Sequence, residues 1–222
     1  MFYYLYYLSD KFSLLNVFQY ITFRAGGAIF TALLISIIFG PYFIKKLKAL
    51  KIEQVIRSDG PQTHFAKSGT PTMGGLVILI SLVISTLLWA RLDNRFIWIL
   101  IFSAIYLGFL GFADDYLKLV KKHSSGLSAS KKIIYISVLG LIIAAYNFYN
   151  PPNSKYITSV NVPYLKETFL NLGILYIFFS YFIVIGSSNA VNLTDGLDGL
   201  AVGSIIFSGL VYVVFAYVAG NV

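Results

Sequence analysis

Six stretches of this chain are long and apolar enough to cross a membrane as helices. They lie at roughly 22–43, 74–91, 96–113, 132–149, 168–187 and 200–219, each reaching the ~17 residues needed to cross a hydrocarbon core of ~30 Å. A spanning segment must satisfy its own backbone N–H and C=O groups, and an α-helix does so. Composition agrees: 58% of residues are hydrophobic and 12% charged, against about 25% charged in a soluble domain, and the mean hydropathy is +0.77. The expected fold is therefore an all-α polytopic membrane protein, with residues 1–222 forming a single transmembrane domain.

What lies between the spans is limited. The opening MFYYLYYL is short and lacks the basic start and small-residue cleavage site of a signal peptide, so it reads as an interfacial segment. The connection Asn150 to Lys166 contains PPN and VNVP, and its Tyr, Ile, Thr and Val residues suit one short periplasmic β-hairpin. With no cysteine in the chain, a disulfide framework and a thiolate zinc site are both excluded. The net charge of +8 is not gathered into one basic domain, which argues against nucleic acid and for basic loops beside an anionic leaflet.

Lysine and arginine positions orient the chain. Loops 44–73 and 114–131, with Lys132, hold Lys45, Lys46, Lys48, Lys51, Arg57, Lys67, Lys118, Lys121, Lys122 and Lys131. Lys11, Arg24, Arg91, Arg95, Lys155 and Lys166 fall on the other side. Eleven against six places the two basic loops in the cytoplasm and the N-terminus outside. Six crossings then make loop 188–199 cytoplasmic as well.

The passage GFADDYLK, Gly111 to Lys118, becomes informative in that frame. Asp114 and Asp115 end a run of membrane-grade apolar residues, and Asp195 and Asp198 end another on the same side. Four carboxylates are expected to converge there, although two crossings separate the pairs. Asp195 and Asp198 share a face if their segment is helical, and Gly196 and Gly199 leave room for a ligand. A lone aspartate at a helix end is often only the start of a solvated loop. Two pairs on one side point instead to function, because ionisable groups at membrane depth are costly. Their place at the membrane edge disfavours the ion site of a transporter, which sits near the midplane. Carboxylates facing lysines suit a substrate that brings phosphates and a divalent cation.

A third segment, IRSDGPQTHFAKSGTPTMGGL, opens the second span with a glycine pair. Such entrances leave backbone N–H groups available to anions, with Lys67 as a cation and Thr70 and Thr72 as hydroxyls. The competing reading is a helix cap in which Gly74 and Gly75 serve packing. His64 and His123 stand in no metal-ligand spacing and read as ordinary loop residues.

Together GTPTMGG, FADDYLK and SSNAVNLTDGLDGLA, in this order and with these spans between them, resemble the polyprenyl-phosphate N-acetylhexosamine-1-phosphate transferases of glycosyltransferase family 4. Within that family they are most similar to the bacterial branch acting on the muramoyl-pentapeptide nucleotide. The resemblance runs over nearly the whole chain. It implies transfer of phospho-N-acetylmuramoyl-pentapeptide from UDP-N-acetylmuramoyl-pentapeptide to undecaprenyl phosphate, giving lipid I and UMP, with Mg2+ as cofactor, in the bacterial inner membrane and on its cytoplasmic face. By the same resemblance Asp114, Asp115, Asp195 and Asp198 are catalytic, and Asp114 and Asp115 are the metal ligands present. Lys67, Thr72, Lys118, Lys122, Asn189 and Asn192 are then substrate-binding, and a homodimer is allowed. The alternatives are a related transferase of N-acetylglucosamine 1-phosphate and a non-catalytic remnant. Whole members are expected to have about ten spans, with a further magnesium-binding aspartate and a histidine-rich motif in their later part. The chain accordingly reads as the N-terminal part of such a transferase.

Overall fold

A computed structural model of the chain describes residues 1–50, 73–121, 126–151, 158–162, 165, 169–195 and 199–220. The described elements are two 3₁₀ segments, Phe2–Leu8 and Ser13–Gln19, and six helices. The helices are α1 (Ile21–Ala49), α2 (Gly75–Trp89), α3 (Arg95–Lys121), α4 (Ala129–Tyr149), α5 (Leu175–Thr194) and α6 (Leu200–Gly220). A hairpin of β1 (Ser159–Asn161) and β2 (Phe169–Asn171) precedes α5. Five helices are long and apolar enough to cross a membrane. The exception is α2, whose 15 residues rise only ~22 Å. This is a multi-pass membrane protein built almost wholly of helices.

The chain divides into two compact units, Met1–Lys132 and Ile133–Val222. In the first, α2 packs on α1 and on α3, and small residues allow the approach. A Cβ at Gly27 would overlap the Trp89 indole, while Trp89 Nε1–H donates to Thr31 Oγ1 at 2.9 Å. Ser36 Oγ–H donates to Ser81 Oγ at 3.1 Å across the α1–α2 contact. Leu79 of α2 sits against Gly108 of α3, where a Cβ would come within 2.5 Å of its Cδ2. Small-residue contacts of this kind bring helix backbones together where lipid offers no hydrophobic incentive to associate.

In the second unit α4 and α5 meet at Gly140. A Cβ there would lie 3.4 Å from the Tyr181 ring, and the Ser137 and Tyr181 hydroxyls are 3.1 Å apart. Leu139 is fully buried. Elsewhere large apolar side chains such as Ile37, Phe109 and Phe207 lie exposed along the helices, as a bilayer-facing surface requires.

Several element boundaries depart from the apolar stretches. The fifth stretch, 168–187, is part strand. Its residues 169–171 pair antiparallel with 159–161, Ser159 opposite Asn171. The hairpin thus reaches beyond the connection ending at Lys166. Asn171 Oδ1 accepts from the Thr158 hydroxyl and the Gly173 N–H. Gly173, at φ +52, turns the chain before α5 starts at Leu175, since a glycine takes this conformation at no steric cost. At the other end α5 continues to Thr194, through part of what reads as loop 188–199. Likewise α3 runs eight residues beyond 113, through Asp114 and Asp115, because spacings of three and four between carboxylate and ammonium support a helix. Helix α1 extends to Ala49, with Lys46 and Lys48 in its last turn, where cations favour the helix dipole.

Candidate active site

Asp114 and Asp115 are adjacent on α3, so their side chains diverge by about 100° around the axis. Asp114 is buried, at 7% exposure, whereas the Asp115 side chain is 30% exposed. Lys118 lies one turn on, four residues from one carboxylate and three from the other. Its Nζ stands 2.7 Å from Asp114 Oδ2 and 3.0 Å from Asp115 Oδ1. A second ammonium, Lys132 Nζ, approaches Asp114 Oδ2 at 3.1 Å from the first turn of α4.

The remaining Asp114 oxygen is held by backbone. Gly126 adopts φ +48 and turns the chain so that Leu127 N–H donates to Asp114 Oδ1 at 2.8 Å. A Cβ at Gly126 would fall 2.5 Å from that oxygen and 2.9 Å from Lys118 Cε. The glycine therefore serves both the left-handed turn and the close approach. Two carboxylates and two ammonium groups form one cluster without net charge, and Asp114 fastens the entry of α4 to α3. Sequence reading placed Asp114, Asp115 and Lys118 here. It missed Lys132, counted only as a loop cation, and the Leu127 N–H, which no side-chain pattern reveals.

The entrance to α2 is a second feature of the first unit. Met73 sits at φ +69, and Gly74 precedes the helix without a side-chain cap. A Cβ at Gly74 or Gly75 would meet nothing within 4 Å, so no packing demand among the described residues explains the glycine pair. Bare helix-opening backbone of this kind admits an anion.

In the second unit, Asn189 and Asn192 lie three apart in the last turns of α5, on one face. Asp195 closes the helix as its C-cap, its N–H donating to Val191 O. The shared face expected for Asp195 and Asp198 lies outside the described residues. Asp198, Lys67, Thr72 and Lys122 lie outside the described residues.

Carboxylate oxygens are the right donors for Mg2+. Asp114 and Asp115 are the carboxylates here that could supply them; Asp114 Oδ2 already receives two ammonium groups and Oδ1 an N–H. Asp114 would meet a metal only by exchanging a lysine.

The model of glycosyl transferase family 4 matches residues 97–222, from the start of α3 through α6. The chain belongs to this family. Within family 4 it also carries, at residues 67–79, the pattern described as signature 1 of phospho-N-acetylmuramoyl-pentapeptide-transferase, which includes the α2 entrance. It is 56% identical over 222 residues to the phospho-N-acetylmuramoyl-pentapeptide-transferase of Endomicrobium trichonymphae, covering 100% of this chain and 62% of the relative. The enzyme of that name from Desulfotalea psychrophila is 48% identical, over 100% of this chain and 61% of its own length. That of Citrifermentans bemidjiense is 47% identical, over 98% and 60%. The chain thus spans about three fifths of the length of these curated family 4 relatives.

Proposed function

We propose that the chain takes part in transferring phospho-N-acetylmuramoyl-pentapeptide from its UDP carrier to undecaprenyl phosphate, with release of UMP. The reading is carried by the carboxylate–lysine cluster at one end of α3, in a chain matched along its whole length by relatives of one name. A phosphate oxygen of the lipid attacks the sugar-bearing phosphorus of the nucleotide, a new P–O–P bond forms, and the bond to UMP breaks. Little covalent chemistry is asked of the protein in such a transfer. Positioning and charge stabilisation dominate.

The residues divide the work accordingly. Asp115, the more exposed carboxylate, orients or deprotonates the lipid phosphate. Lys118 and Lys132 exchange carboxylate for phosphate oxygens as the substrates arrive, and Asp114 holds both lysines ready. Asn189 and Asn192 are assigned to the nucleotide, with Lys67, Thr72 and Lys122, and Asp195 and Asp198 to the catalytic carboxylates. Asp115, with Asp114, would hold Mg2+, which when bound neutralises pyrophosphate charge. The proposed location of this end of α3 is the cytoplasmic face of the bacterial inner membrane, and the lysine asymmetry supports the cytoplasmic side. A homodimer is the proposed assembly, checked by the mass of the detergent-solubilised particle.

The test is UMP release from UDP-N-acetylmuramoyl-pentapeptide with undecaprenyl phosphate, by the purified chain. Mg2+-dependent release that falls at least ~100-fold in Asp115→Asn is expected, from loss of a transition-state contact worth about 3 kcal/mol. Release indifferent to Asp115→Asn would sink the reading. Equal release from UDP-N-acetylglucosamine would move the chain to another branch of the family.

A further inference from the structure

The far end of the first unit carries charge that the transfer reaction does not use. Arg24 of α1 and Arg91, just beyond α2, both stack on the ring of the buried Tyr3, with guanidinium carbons 4.7 and 5.0 Å from its centroid. Arg91 has a counter-ion, Asp93, at 2.7 Å. Arg24 has none in ion-pair contact among the described residues, and Asp93 acts on it only at longer range. Its Nε is buried without a hydrogen-bond partner, and its one described polar contact is a long 3.5 Å approach of Nη1 to Trp89 O. The position also breaks a local rule, for Arg24 stands in the first turn of α1, where the helix dipole is positive and acidic side chains are favoured. The first turn of α1 holds no acidic residue and no side-chain cap. Unsatisfied positive charge of this kind asks for an anion.

The surroundings identify what carries the anion. Asp114 lies 19 positions along α3 from Arg95, a helical rise of ~29 Å, or one hydrocarbon thickness. The arginine pair, next to the start of α3, is thus at the opposite rim of the spanning segment. Phe2, Phe18 and Phe23 pack around Trp89 there, with ring centroids 4.9 to 6.0 Å from the indole. An aromatic belt of this type sits at headgroup level. Ile21 and Phe23 are exposed beside it, an apolar surface suited to acyl chains. We propose that Arg24 and Arg91 form a binding site for the phosphodiester headgroup of an anionic phospholipid, at the membrane face opposite Asp114.

The experiment is native mass spectrometry of the purified full chain with equal amounts of phosphatidylglycerol and phosphatidylcholine. Phosphatidylglycerol should be retained preferentially. Arg24→Gln should reduce that preference about fivefold, in line with the contribution of one cation near a lipid surface, and Arg24→Lys should largely preserve it. Far-UV circular dichroism checks that the variants keep their helices; if Arg24→Gln fails to fold, Arg91→Gln, an exposed side chain, carries the test. Equal retention of the two lipids, or a preference unchanged in the folded Gln variants, overturns the proposal. So does displacement of the lipid by millimolar inorganic phosphate, which would make this a site for a small free anion.

Discussion

At the scale of single residues, the two adjacent aspartates are not equivalent. Asp114 accepts from one N–H and faces two lysines while buried, whereas Asp115 pairs with Lys118 and is partly open. Asp114 should therefore behave as a positioning residue. Gly126→Ala is the sharpest test, because it leaves every charged group in place. A left-handed alanine costs ~1–2 kcal/mol, and its Cβ would press on Asp114 Oδ1 and Lys118 Cε. A lowered thermal midpoint and a several-fold drop in UMP release are expected, measured on the same preparation. Lys132→Gln should lower release more than it lowers the melting temperature, since the ammonium is 28% exposed and solvent screens such a pair. The i, i+3 and i, i+4 spacing of Lys118 to the aspartates is legible in the sequence. The arrival of Lys132 and Leu127 N–H is not, because it depends on how one glycine turns a connecting segment, and no helical or strand period encodes that.

At the scale of elements, hydropathy locates the helices but not their ends. Apolar runs stop where the lipid stops, while helices stop where backbone groups find other partners. Hence α3 continues through a charged but well-spaced DDYLK, and α5 waits until Gly173 has reversed the chain after a strand. The α2–α3 contact depends on a finer feature, a glycine opposite a leucine. Gly108 and Gly111 make a matched pair on α3, since a Cβ at the first would meet Leu79 and at the second nothing within 4 Å. Replacing an exposed helical glycine by alanine stabilises by ~0.5–1 kcal/mol. Gly111→Ala should accordingly raise the thermal midpoint, and Gly108→Ala should lower it or leave it unchanged as Leu79 is displaced. Opposite ranking of the two variants in one melting experiment would refute the packing account.

At the scale of the whole molecule, the proposed transfer requires that the cluster at Asp114 face the compartment holding the nucleotide sugar. Lysine asymmetry predicts this arrangement: eleven basic residues on the proposed inner side and six on the other. The gradient is a statement about loops, so it can be tested without a working enzyme. The chain lacks cysteine, and one introduced thiol therefore reports one position. Lys11 lies between the two 3₁₀ segments, and Lys131 is an exposed residue in the first turn of α4, immediately before Lys132. In intact cells a membrane-impermeant maleimide is expected to label Lys11→Cys and to spare Lys131→Cys until the membrane is opened. The reverse pattern would put Asp114, Lys118 and Lys132 outside, away from any UDP-linked donor. A cytoplasmic nucleotide substrate would then be untenable for this cluster, whatever the identity to transferases of that name, because no charged nucleotide crosses the bilayer core unaided.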